Sequence, residues 1–193
     1  DLTKKYGSTE KHIDLMVEAG LIIKKDKGGY YDRFRNRVMF PIRDNRGDVV
    51  GFGGRIINED DDPKYLNSPE TTLFKKGYLL YGLFEGKQQI SATKEVILVE
   101  GYTDVIGLSQ YGIGNALATL GTATTESHIK LIFQKANKVI FCFDADNAGK
   151  KASMRALETS LPFIRQNKSV EFLMLDKGSD PDTAVREKGA DGF

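Results

Sequence analysis

The sequence predicts an α/β protein: a mainly parallel sheet with flanking helices over residues 93–193, preceded by a smaller, basic, mixed α+β subdomain over residues 1–92. Three observations carry that prediction. From residue 95 onward, short runs rich in Val, Ile and Phe alternate with helical patterns, the signature of a parallel sheet covered by helices. Two of those runs end in acid, Glu95-Val-Ile-Leu-Val-Glu100 and Val139-Ile-Phe-Cys-Phe-Asp144, as expected where strands deliver polar groups to the carboxyl edge of a sheet. Most of the arginines, by contrast, stand between residues 30 and 76.

Taken in order, residues 8–19 set Ile13, Met16 and Val17 at helical spacing and stop at Gly20, so a short helix leads into the apolar run 21–23. Residues 38–42 and 48–57 read as a hairpin around the turn formers Asp44-Asn45-Arg46-Gly47. Gly51, Gly53 and Gly54 thin the second strand and mark places where another backbone or a ligand comes close. An acidic loop from Glu59 to Pro63 follows, then polar segments and a short helical stretch around 79–89, with the subdomain boundary in 86–94. Beyond it the pattern gives strand 95–100, helix 103–111, strand 115–120, helix 124–136, strand 138–144, helix 147–166 and strand 170–175. Thr124 or Thr125 caps the helix whose buried stripe is Ile129, Ile132, Phe133 and Ala136. Met154, Leu157, Leu161 and Ile164 form the stripe of the next helix, with Pro162 as its kink.

The chain balances 28 basic against 27 acidic side chains, and its hydrophobic fraction of 40% is that of an ordinary globular protein. No apolar run approaches the roughly 20 residues that cross a bilayer, so no membrane partner is expected. The absence of a basic-then-apolar leader, and a lone Cys142 inside a buried strand, point to a cytoplasmic chain without disulfides. One Cys and two His are too few for a structural zinc site, so any metal here must be held by oxygen. The opening at Asp1-Leu2-Thr3, without an initiator Met, reads as a piece of a longer protein.

Three carboxylates beyond neighbouring strands, Glu100, Asp144 and Asp146, repel one another unless a cation stands among them. Magnesium suits them, because it takes one or two protein carboxylates, keeps several waters and completes its shell with substrate phosphates. Asp144 and Asp146 reach one cation only where the chain turns, as Asn147-Ala148-Gly149 allows, and the helix starting near 148 aims its positive end at the same place. Asp180 and Asp182 repeat the arrangement after strand 170–175 and offer a second cation site. A plainer chemistry competes at each position: Asp-x-Asp also builds turns and caps, Asp182 fits the cap of a helix 183–188, and Asp104 fits a salt bridge or a cap.

The basic constellation is Arg33, Arg35, Arg37, Arg43, Arg46 and Arg55, then Lys64, Lys75 and Lys76, interleaved with Tyr30, Tyr31, Phe34, Phe52, Tyr65 and Phe74. Guanidinium forks grip phosphates and aromatic faces stack on bases. If 33–37 is extended, its alternation sets Arg33, Arg35 and Arg37 on one side as a phosphate track. A solvated strand edge is the competing reading.

Several long motifs then fall in one order: Tyr31-Asp-Arg-Phe-Arg-Asn-Arg-Val-Met-Phe-Pro-Ile-Arg-Asp44, Gly51-Phe-Gly-Gly-Arg55, Pro63-Lys-Tyr-Leu-Asn-Ser-Pro-Glu-Thr71, Glu100-Gly-Tyr-Thr-Asp104, Asp144-Ala-Asp146 and Asp180-Pro-Asp-Thr183. From about residue 30 to about 183 the chain closely resembles the polymerase core of bacterial (DnaG-type) DNA primases, and its second half looks like a Toprim domain. Thr103 and Ala145 depart from the Met and Gly usual in that family, but both are spacers between acidic positions. The resemblance implies a DNA-directed RNA polymerase that makes short RNA primers on single-stranded DNA for replication. It implies Mg²⁺ or Mn²⁺ on the catalytic Glu100, Asp144 and Asp146, with Asp180 and Asp182 contributing and Asp104 nearby. It also implies that Arg33, Arg35, Arg37, Arg55, Lys64, Asn67 and Lys76 contact ribonucleoside triphosphate or template.

Family members carry an N-terminal zinc-binding domain and a C-terminal region that binds the replicative helicase. Zinc and helicase contacts therefore fall outside these residues, and the chain alone is expected to be at most partly active. The alternatives are a topoisomerase- or nuclease-type Toprim module and a non-catalytic DNA-binding Toprim scaffold. A topoisomerase needs a nucleophilic tyrosine in a separate domain, and nothing marks one among the eight here. Retention of every acidic position counts against the scaffold.

Overall fold

The N-terminal region is a set of short helices and antiparallel ribbons. Helix α1 (Leu2–Tyr6) is followed by α2 (Glu10–Glu18), whose cap Thr9 accepts a hydrogen bond from the His12 N–H and whose exit is Gly20 at φ +67°. A side chain at Gly20 would run into the ring of Pro69, so glycine is required there for space as well as for the left-handed turn. Strand β1 (Ile22–Lys24) pairs antiparallel with β2 (Tyr30–Asp32). A three-stranded sheet follows in the order β3 (Arg37–Arg43), β4 (Val49–Ile56), β5 (Tyr65–Asn67). The expected hairpin is present, and the Asp44 carboxylate closes it by accepting the N–H groups of Arg46, Gly47 and Asp48. Gly51 does mark a close approach, because a Cβ there would stand 2.8 Å from the ring of Phe74.

After a 3₁₀ turn at Lys76–Tyr78 come α3 (Lys87–Thr93), β6 (Glu95–Val99), α4 (Tyr102–Gln110), β7 (Ala116–Ala118) and α5 (Glu126–Lys135). Then follow β8 (Lys138–Phe141), α6 (Asn147–Ser160), β9 (Ser169–Phe172) and α7 (Pro181–Gly192). The four strands form one parallel sheet in the order β7-β6-β8-β9, as the alternation predicts. Val96, Leu98, Ile129, Ile132, Val139 and Phe141 are almost wholly buried, each worth about 1.5–3 kcal/mol of transfer free energy.

The computed structural model describes residues 1–165 and 167–193. It divides into two compact units, Asp1–Ile42 with Val49–Lys75, and Arg43–Asp48 with Lys76–Phe193. The sequence reading drew the line at 92/93; by contact the division falls at Lys75, because Leu80, Leu83 and Ile90 belong to the core of the parallel sheet and Tyr81 bridges to Ala118. The helix expected around 79–89 is instead α3, at Lys87–Thr93.

Helix α6 also departs from expectation. It stops at Ser160 rather than running to 166, and Pro162 sits in a 3₁₀ turn, Leu161–Phe163, because proline cannot supply the N–H that would continue the helix. Its buried face is not the apolar stripe: Met154 and Leu161 are 58% and 57% exposed, while Gly149, Ala156 and Ser160 are buried. Small residues bring this helix close to the sheet.

Candidate functional site

Register places the acids. Leu98 of β6 pairs with Phe141 of β8, so Glu100 and Asp144, two and three residues further on, emerge side by side at the carboxyl edge. The Asp144 N–H donates to Glu100 Oε1 at 3.2 Å. Asp146 caps α6 by accepting the Gly149 N–H at 2.7 Å, and Asp180 caps α7 by accepting the Thr183 N–H at 2.7 Å. Residues 147–149 are thus the first turn of α6 and not a separate turn, and the cap of the last helix is Asp180 rather than Asp182. A Cβ at Gly149 would collide with the Asp144 backbone carbonyl, so glycine lets α6 start against the strand end.

Asp104, only 7% exposed, accepts the Gly101 N–H at 3.0 Å and caps α4. Asp182 pairs with Arg186 Nε at 2.9 Å and lies against Gly107, where a side chain would strike its carboxylate.

These carboxylates share one electrostatic field. Burial, then the charge of Asp144 and of Asp146, raises the Glu100 carboxyl against the lowering effect of its hydrogen bond from Asp144. Asp144 is raised by burial and then by Asp180 and Asp146. Burial, with Asp144, Asp180 and Asp182 around it, pushes Asp104 up to about 7. Behind them the buried Cys142 thiol is pushed up to about 12, first by burial and then by Asp104 and Asp144, which leaves it inert. Among the described residues no Lys, Arg or His forms an ion pair with Glu100, Asp104, Asp144, Asp146 or Asp180.

Uncompensated like charges of this kind fit a divalent cation. No three His, Cys, Asp or Glu side chains among the described residues converge into a ready-made cage. Carboxylate oxygens are the ligands of a magnesium-like ion, which keeps waters and takes further oxygens from a phosphate.

In the first unit, residues 33–36 are not extended, and the expected one-sided alternation does not occur. Asn36 takes φ +50° at a bend just before β3. Arg33 donates to the Asn67 carbonyl at 3.2 Å, Arg37 donates to the Pro63 carbonyl at 2.6 Å, and Arg35 lies over the Tyr31 ring at 4.9 Å. All three guanidinium groups nonetheless line one cleft of about 390 Å³, with Tyr31, Asn36 and Asp61. Arg55 and Lys64 both lie over Tyr65, and Asn67 sits on β5 opposite Gly53.

Lys76 belongs to the second unit. Its turn is clasped by the start of α5: Thr125 Oγ1 donates to the Gly77 carbonyl at 2.7 Å, and His128 bonds the Lys76 carbonyl through Nε2 at 2.8 Å. Because His128 Nδ1 accepts the Thr125 N–H, Nε2 carries the proton and the ring is neutral. Sequence reading named Thr125 but passed over His128; the signal was Thr-x-x-His at capping-box spacing. It also passed over Lys150, Lys151 and Arg155 of α6, which followed Asp144-Ala-Asp146 in plain view.

A parallel four-stranded sheet with flanking helices and acids at the ends of its two central strands is the architecture expected of a Toprim domain. The Toprim domain family matches residues 94–173, and the family described as DNA primase catalytic core, N-terminal domain, matches residues 1–87. The curated DNA primase of Escherichia coli O6:H1 is 50% identical over 193 residues, all of this chain and 33% of that protein. Among solved structures, the DnaG primase catalytic domain bound to ssDNA superposes with a TM-score of 0.94 at 49% identity, covering 100% of this chain and 62% of that one. The RNA polymerase domain of Mycobacterium tuberculosis primase DnaG does so at 0.79 and 30% identity, covering 96% and 67%. The chain therefore belongs to the bacterial DnaG-type DNA primase family, whose Toprim module implies use of a divalent metal. It spans about a third of the length of the curated relatives it matches.

Proposed function

We propose that the protein containing this chain is a DNA-directed RNA polymerase that makes short RNA primers on single-stranded DNA for replication. The observation that carries the reading is the set of mutually repelling carboxylates at adjacent strand ends, Glu100, Asp144 and Asp146, with no cationic side chain among the described residues in an ion pair with them. Glu100, Asp144 and Asp146 would hold Mg²⁺ or Mn²⁺, with Asp180 within their field; Asp182 would first have to leave Arg186, and Asp104 offers only the oxygen not given to Gly101. A bound divalent cation supplies the positive charge that offsets developing negative charge on the attacking and leaving oxygens of phosphoryl transfer. The chain's own contribution is positional: the β6 and β8 ends fix Glu100 and Asp144 side by side, and Gly149 lets Asp146 approach them.

In the same reading Arg33, Arg35, Arg37, Arg55, Lys64 and Asn67 contact template or ribonucleoside triphosphate, as Lys76 does in its own unit, and Tyr65 with Arg55 and Lys64 offers a stacking face. The similarity to a domain bound to ssDNA supports the template assignment. The division of labour follows the two segments, residues 1–92 for nucleic acid and 93–193 for chemistry. The replicative helicase would be met by other parts of the protein, and the cytoplasm is the compartment the reading implies.

The test is ribonucleotide incorporation on a single-stranded template by the full-length protein. Wild type is expected to require Mg²⁺ or Mn²⁺, and Glu100→Gln to lose incorporation with unchanged folding. A fully active Glu100→Gln enzyme would remove the assigned site.

A further inference from the structure

Helix α6 separates two clefts at the acidic edge. On one side a cleft of about 530 Å³ holds Asp144, Asp146, Lys150 and Lys177. On the other, a cleft of about 380 Å³ is lined by Glu100, by Thr119, Thr122 and Thr124 after β7, and by Lys151 and Arg155. Lys151 and Arg155 are four residues apart, hence neighbours one turn apart on a single helix face. Both are exposed, and neither enters an ion pair among the described residues. Phe143, Ala148 and Ala152 add apolar surface to the same cleft.

The chemistry of the two clefts differs. The first has two carboxylates beside lysines, the composition for a cation-bound triphosphate. The second has a single carboxylate, several hydroxyls, and two cations one helical turn apart that form no ion pair among the described residues. That pattern fits a strand whose terminal sugar lies near Glu100 and whose successive phosphodiesters reach Arg155 and Lys151. It does not fit a cation-bound triphosphate, because Asp144 and Asp146 line the other cleft. We infer that this second cleft seats the 3′ end of the strand being extended, with Lys151 and Arg155 binding its last two backbone phosphates. The inference rests on the polymerase reading above and assigns residues that sequence analysis did not.

The test uses full-length protein and fluorescence anisotropy with an RNA primer annealed to a DNA template, beside the same template single-stranded. Lys151→Ala/Arg155→Ala is expected to weaken primer–template binding about tenfold and to lower its salt slope by about two, with single-strand binding and the KM for nucleotide unchanged. A primer whose last two linkages are neutral methylphosphonates should lose the same affinity on wild type and lose no more on the double variant. Lys151→Arg/Arg155→Lys should restore binding within about twofold. Wild-type-like binding by the alanine double variant, equal losses on both probes, a raised nucleotide KM, or additive losses with the methylphosphonate primer would each overturn the subsite. A wild type that binds the primer–template as described but adds no nucleotide would defeat the polymerase reading instead, and the binding comparison would still decide the subsite.

Discussion

The acidic edge of the second unit and the basic cleft of the first are built by opposite means. Glu100 and Asp144 stand at strand ends fixed by ladder register, Asp146, Asp180 and Asp104 are held as helix caps, and burial with like charge raises Glu100, Asp144 and Asp104. Arg33, Arg35 and Arg37 stand between β2 and the start of β3 and are held by single bonds to the Asn67 and Pro63 carbonyls and a contact with the Tyr31 ring, and none is fully buried. Carboxylates whose charges act on one another concentrate their effect in each member, whereas several cations along one cleft share theirs. The contrast predicts that single substitutions act strongly on the first and weakly on the second.

The largest effect should come from Asp144→Asn, which removes the carboxylate that raises both Glu100 and Asp104. Incorporation by the full-length enzyme is expected to fall about 10³-fold with an unchanged melting profile; a loss under about threefold would break the contrast. Gly149→Ala comes next. Its Cβ would meet the Asp144 carbonyl, so urea unfolding should show a loss of about 1–3 kcal/mol together with reduced incorporation. Arg35→Ala should weaken single-strand binding only about three- to tenfold and lower the salt slope by about one, read from anisotropy at several salt concentrations.

The smallest effect belongs to His128, whose burial lowers its pKa from the ordinary 6.5 despite bonds to backbone carbonyls. The unfolded chain then takes up this proton at higher pH than the fold does, so its contribution is intact above about 6.5 and is lost as pH falls toward the folded value. Between pH 7.5 and 5.5, wild type should lose stability relative to His128→Gln in urea titrations; a constant difference would show that the ring is not held neutral.

Much of this was legible in the sequence, and the exceptions have physical causes. The parallel sheet, the acidic strand ends and the Thr125 cap rest on local patterns that burial only reinforced. The bend at Asn36 was not legible, because a residue at φ +50° leaves no mark in an Arg-x-Arg-x-Arg alternation. The buried face of α6 was missed because close approach to the sheet selects Gly149, Ala156 and Ser160, which an apolar count ignores. Asp180 and Asp182 read alike in sequence; a cap bond and an ion pair with Arg186 separate them only in the fold.

The central claim is that the strand-end carboxylates hold a divalent cation against nucleotide phosphate. Its most direct test is calorimetric titration of Mn²⁺ into the full-length protein in the presence of a ribonucleoside triphosphate, comparing wild type with Glu100→Gln and Asp144→Asn. The account predicts that each variant loses at least about tenfold in Mn²⁺ affinity, the cost of one removed carboxylate ligand. Equal affinity in all three proteins would contradict it.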